Sequence, residues 1–283
     1  QATTLHGGTA VTLDDETPRV GTSRFLPQGM FVLYKLGLAV YFLYWAIFWR
    51  AVKDYKTGRF LTHWTWYATT SYFVVSALSA FLCCRAAGVT VARGPVRDDP
   101  GRDATMASRP SDRTGSPQPV PAVLRHLQLV LWSTACIGSL IVVTIFWGAL
   151  YDGDKLTTVD EQAHAFIGCI MLLDQFLVAD EFKLRYILFP QAFGVIYLFF
   201  NVGWYYLAPD DDRLIYVILD WEDNTLGACI YAFGAVLVGA PLFGLVHLGL
   251  FRLRERVYHN RLARSSKAAA EAQAIELKES DQA

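Results

Sequence analysis

The chain has 283 residues, of which 53% are hydrophobic and 14% aromatic, and its formal net charge is −1. The apolar residues gather in runs of membrane-spanning length rather than in the stripes of a soluble domain, and the charges collect in the connecting stretches. That balance gives no basis for a nucleic-acid partner, and the five cysteines form no CxxC or similar spacing, so neither a metal nor a cofactor is expected.

Residues 1–29 are polar and rich in Thr and Gly, and read as a tail rather than a signal peptide. The first span, about 30–49, carries Lys35 close enough to one end to snorkel. Tyr41, Tyr44, Trp45 and Trp49 crowd its other end as an interfacial belt. A basic linker leads to the second span, about 64–84. Residues 85–125 are dense in Arg, Asp, Pro and Ser, which predicts a disordered loop.

The third span, about 126–150, ends in an acidic linker with Asp152, Asp154, Asp160 and Glu161. Thr158-Val159-Asp160-Glu161 has the pattern of a capping box, which starts the next helix near Thr158. The fourth span, about 162–179, is apolar except for His164 at its start and Asp174 further in. Ionisable groups in such a run are expensive unless they face protein or water. A partner for Asp174 is expected at Lys183, Arg185 or a helix seam. The fifth and sixth spans, about 186–207 and 226–251, flank an acidic loop with Asp210, Asp211, Asp212, Asp220, Glu222 and Asp223. The tail 252–283 is first basic, then acidic, with a helical composition.

The fold expected is therefore all-α: a polytopic six-helix membrane bundle with cytosolic termini. The segments on the side of the termini hold 18 lysines and arginines against six on the other side, which sets the orientation by the positive-inside rule. The long loop and the tail are then cytosolic and available to protein partners, in a plasma or endoplasmic reticulum membrane. The cysteines read as structural thiols, with palmitoylation of Cys83 and Cys84 as the alternative.

This orientation puts Thr62, at the start of the second span, and His164 at one depth, and the fifth span brings Asn201 toward them. Thr62, Thr65, Thr69, Tyr72, Ser76, Ser79 and Cys83 recur at spacings of three and four and form one helix face. That face is either a packing seam or the lining of a lipid-holding cavity. A hydroxyl becomes a nucleophile when a base takes its proton, and imidazole is the usual base. Asp160, one turn before His164, is the first candidate to orient the ring, and Glu161 the second. The plainer readings are an N-cap for Thr62 and an interfacial hydrogen-bonding group for His164.

GRFLTHWTWYATTSYFVVSAL (58–78), TIFWGALYDG (144–153) and HAFIGCIMLLDQFLV (164–178), in that order, resemble the rolling stone proteins and the related androgen-induced membrane hydrolases of fatty acid esters of hydroxy fatty acids. The resemblance implies a threonine nucleophile at Thr62, in the F-L-T pattern, and a partner histidine at His164. Loops 85–125 and 210–223 do not match the hydrolases, and Leu172-Leu173-Asp174 is closer to the rolling stone branch. The leading expectation is a lipid-ester hydrolase acting on a fatty acid ester drawn from membrane lipid, with Thr62 as nucleophile, His164 as base, Asp160 as orienting group and Asn201 as oxyanion donor. The alternative is a membrane organiser without enzymatic activity. A transporter is third, because the chain has no internal repeat.

Overall fold

The computed structural model describes residues 20–52, 58–92, 120–151, 153, 157–210 and 212–280. Most of the 85–125 stretch therefore lies outside the described residues, as do 1–19 of the N-terminal stretch. Six helices run along the described chain: Gln28–Val52, Leu61–Ala92, Ala122–Leu150, residues 158–177, Leu184–Leu207 and residues 225–280. Five of them are long and apolar enough to cross a membrane. The remaining one, the fourth, has 20 residues and at about 1.5 Å each measures about 30 Å. The chain is an all-α, multi-pass membrane protein.

Several boundaries differ from the sequence expectation. The second helix starts at Leu61 and runs on to Ala92, and the third starts at Ala122, so both ends of the expected disordered loop are helical. The fourth helix starts at Thr158 as expected, but its capping box is formed by Thr157 and Asp160, one residue earlier than the sequence pattern places it. The sixth helix continues without a break from the bundle through Ser280.

The helices alternate up and down. Segment 20–29, the end of the fourth helix and Arg254 on the sixth share one face, here the terminal face. The linkers after the first, third and fifth helices share the other, as the Arg59–Asp212 ion pair at 2.9 Å shows for the first and last of them. Within the stretch read as a polar tail, residues 20–28 make contacts with the bundle. Gly21 has φ +82, and a Cβ there would stand 2.8 Å from the Ser79 backbone. Gln28 Nε2 donates to the carbonyls of Gly21 and Ala80, and Ser23 Oγ donates to the Leu177 carbonyl. The Cys83 thiol donates to the Val20 carbonyl at 3.2 Å, which makes Cys83 structural.

The hydroxylated face of the second helix is buried from Thr62 to Cys83. It packs against the first and third helices, so the packing-seam reading holds for all of it except Thr62, which reaches a cavity. Trp49, expected at the interface, is buried instead, its ring 4.4 Å from that of Trp66.

Lys35 does not snorkel. It is fully buried and bonds Asp174 Oδ1 at 2.5 Å and the Tyr72 hydroxyl at 2.7 Å. Tyr72 donates to Asp174 Oδ2 at 2.5 Å and Tyr34 to Oδ1 at 3.1 Å. The partner of Asp174 is thus Lys35, while Lys183 pairs with Glu181 and Arg185 lies over the Tyr186 ring. Placing the charge pair among three helices satisfies both ions where lipid would satisfy neither.

A second polar group closes the terminal face. Gln128 Nε2 donates to Asp180 Oδ2 at 2.8 Å, yet Asp180 Oδ1 and Gln128 Oε1 have no hydrogen-bond partner among the described residues. Burial pushes the Asp180 carboxyl up to about 6, with the Gln128 bond and the Lys35 charge opposing. A proton on the carboxyl supplies a donor that this pair otherwise lacks. Because the folded value is raised, the stability it contributes is complete below about pH 4 and is lost as pH rises through about 6. Asp180→Asn is expected to raise the melting temperature at pH 7.5 and to raise it by clearly less at pH 4.5, measured in one detergent. A larger gain at the lower pH would contradict this account.

Candidate functional site

Near the face opposite the termini, the second to sixth helices and the 208–224 loop enclose an apolar cavity of about 90 Å³. Its few polar residues include Thr62, His164, Asn201, Tyr197 and Tyr216. The three residues expected as nucleophile, base and oxyanion donor therefore border one space.

Thr62 is placed by the start of the second helix. The Phe60 carbonyl accepts the first intrahelical bonds, from His63 at 3.0 Å and Trp64 at 3.3 Å. Phe60 thus holds the N-cap position, and Thr62 is the second helical residue rather than the cap. Its side chain is buried and within hydrogen-bonding range of the Tyr216 hydroxyl, which also accepts from the Leu61 backbone N–H at 2.9 Å. Burial pushes the Tyr216 phenol up, so it stays a neutral hydroxyl. Tyr216 is also within range of Tyr197, whose hydroxyl donates to the Arg59 carbonyl at 2.9 Å.

Asn201 is buried on the fifth helix. Its Oδ1 accepts from Trp221 Nε1 at 2.9 Å, which fixes the amide and leaves its NH₂ end for Tyr197 and the cavity. Gly194, about two turns earlier by helix geometry, has no room for a side chain, since a Cβ there would stand 2.9 Å from Val236.

His164 lies in a π-helical turn, residues 162–166. Its ring stacks flat on Phe146, with centroids 3.7 Å apart and planes 2° from parallel. Its Nδ1 is buried without a hydrogen-bond partner among the described residues. Its backbone carbonyl accepts from Trp147 Nε1 at 3.1 Å. The second helix and this turn approach within 8 Å between Cα atoms. Asp160 is engaged elsewhere: its Oδ2 accepts from Thr157 N at 3.1 Å and from Thr157 Oγ1 at 2.6 Å.

Neither protein-family models nor curated proteins nor solved structures match the chain. The site is therefore read from its own residues. Among the described residues no group of three His, Cys, Asp or Glu stands together as a metal site.

Sequence reasoning missed Tyr216, Tyr197 and Trp221. Tyr197 is one aromatic among many in an apolar run, where nothing marks it out. Tyr216 and Trp221 stand in a loop, where no periodicity reports which way a side chain points. A further feature had no sequence signal: all three π-helical segments among the described residues, 146–150, 162–166 and 234–239, contribute to the cavity wall. Such segments recur at functional sites, because the extra residue per turn redirects side chains and leaves backbone bonds loose.

Proposed function

We propose that the protein is an intramembrane lipid-ester hydrolase. The observation that supports this most is that Thr62 and His164, on separate helices, border the same apolar cavity, with the neutral Tyr216 hydroxyl beside Thr62. The motif resemblance to rolling stone proteins and androgen-induced membrane hydrolases points to the same two residues.

In this reading the Thr62 Oγ–H gives its proton to the His164 ring as Oγ bonds to the acyl carbon. The carbonyl oxygen becomes an oxyanion, which the Asn201 NH₂ stabilises. On collapse the ester C–O bond breaks, His164 returns the proton to the departing alcohol, and the acyl group stays on Thr62. Water then repeats the sequence and frees the acid. Tyr216 holds the Thr62 hydroxyl in place. Asp160 keeps the helix start rigid one turn before His164 and acts as a positioning residue.

The test is turnover of branched fatty acid esters by purified protein, with labelling by a fluorophosphonate probe. Thr62→Ala is expected to abolish both, and His164→Ala to lower turnover by about 10²- to 10⁴-fold. Equal labelling and turnover in wild type and both variants would overturn the proposal.

A further inference from the structure

The shape of the cavity says from where it is filled. The third and sixth helices touch on the terminal side of it, where a Cβ on Gly244 would meet Ile137 at 3.6 Å and collide with Ile187. From this crossing toward the opposite face they diverge. The third helix packs on the sixth from Ala240 onward, whereas the 234–239 segment packs on the fifth helix and 225–233 on the 217–219 turn. Two of the π-helical segments, 146–150 and 234–239, one on each of these helices, contribute residues to the cavity wall.

The residues along the opening combine two properties that ordinary core residues do not. Tyr231 lines the cavity and yet is 48% exposed. Ile141, Ile145, Phe146 and Ala235 line it and are half-buried. Their outer neighbours, Leu237 and Val238, are exposed at 60% and 65% on the surface of a membrane-spanning helix. The opening is thus an apolar slit within the hydrocarbon depth of the bilayer. Water does not reach such a depth in quantity, and a protein partner would need an apolar helix face. The material in contact with the slit is lipid chain.

We infer that the cavity is loaded sideways from the membrane, and that its occupant is a single acyl chain of a membrane-dissolved lipid that passes between the third and sixth helices. The chain lies along Ile141, Ile145 and Ala235 with its polar end toward Thr62 and Tyr216. This deepens the hydrolase reading by naming the route and form of its substrate, but chain binding stands on the opening alone.

The experiment is photocrosslinking of the full chain in phospholipid nanodiscs with a mono-oleoylglycerol analogue that carries a diazirine in its acyl chain, followed by peptide mapping. Adducts are expected at 141–150 and 231–240 and are expected to fall at least fivefold with excess unlabelled mono-oleoylglycerol. Ala235→Phe fills the slit and is expected to cut the adducts at 141–150 at least fivefold, while Leu237→Phe, on the lipid-facing side, leaves them unchanged. Ile145→Phe narrows the slit from the other wall and guards against misfolding of the first variant. Each variant is used only if its gel-filtration profile and melting temperature match those of the wild type. Thr62→Ala is expected to keep the adducts. Their persistence there with no turnover in any form would reject hydrolysis and keep the portal. Adducts spread evenly over exposed residues without competition, or unaffected by both Ala235→Phe and Ile145→Phe, would overturn it.

Discussion

Asp174→Ala is expected to destabilise the bundle by about 3–5 kcal/mol, the loss typical of breaking a buried ion pair from one side. The reason is the ammonium left behind. Lys35 is fully buried, and its remaining partner would be the Tyr72 hydroxyl, itself deprived of the carboxylate it donates to at 2.5 Å. The Tyr34 hydroxyl loses its acceptor as well. Lys35→Ala leaves an unpaired carboxylate that still has two tyrosine donors, so its expected loss is smaller. The discriminating variant is the pair Lys35→Met with Asp174→Leu, which removes both charges and keeps the volume. It is expected to recover most of the stability lost by Asp174→Ala, because well-packed apolar substitutes for a buried pair are often neutral or better. Unfolding in mixed micelles with increasing SDS measures all four proteins. A double variant as unstable as Asp174→Ala would show that packing at these positions, and not charge, carries the effect.

This ion pair also marks where the sequence stopped being readable. Hydropathy located the five helices long and apolar enough to span, because each needs about 20 apolar residues and the loops need charge. The spacing of Thr62 through Cys83 identified a buried face, because helix periodicity is a local property. Partner choice is not local. Lys35 lies near a helix end, where a long side chain reaches water as readily as a neighbour, and only the packing of the first, second and fourth helices decides between them. The cap of the fourth helix was misplaced by one residue, since Thr157 and Thr158 are both capable caps and Asp160 serves Thr157.

At the cavity the same division holds. Thr62, His164 and Asn201 stood out because each is a polar residue in an apolar run, and all three line one space. Tyr216 and the π-helical walls did not stand out. A loop tyrosine carries no pattern, and a π turn differs from an α turn by one hydrogen-bond register that composition does not encode.

Arg254 is the residue whose position the sequence most misjudged, and its removal is the second large effect expected. It opens what reads as a basic cytosolic tail, yet it is fully buried. Its Nη1 donates to the carbonyls of Gln175 at 3.0 Å and Val178 at 2.6 Å, and its Nη2 to that of Asp180 at 2.9 Å. The fourth helix ends at Leu177, so its last carbonyls have no intrahelical donors and carry the negative end of the helix dipole. The guanidinium fork satisfies Gln175 there and extends the cap over the following turn. Glu255 balances the charge, accepting from Arg254 at 2.9 Å and lying 3.4 Å from Arg24 of the N-terminal segment. Arg254 therefore ties the end of the fourth helix to the sixth, and through Glu255 to residues 20–29. Arg254→Met keeps the stem but leaves three buried carbonyls without a donor, at about 1–3 kcal/mol each before relaxation, so a net loss of about 3–5 kcal/mol is expected. Arg254→Lys keeps the charge but lacks the planar fork, and is expected to recover less than half of that. Amide exchange at 178–183 is expected to accelerate in both variants, while exchange at 61–72, on the opposite face, stays at the wild-type rate. Uniform acceleration along the chain would mean that Arg254 holds the whole bundle rather than this one corner.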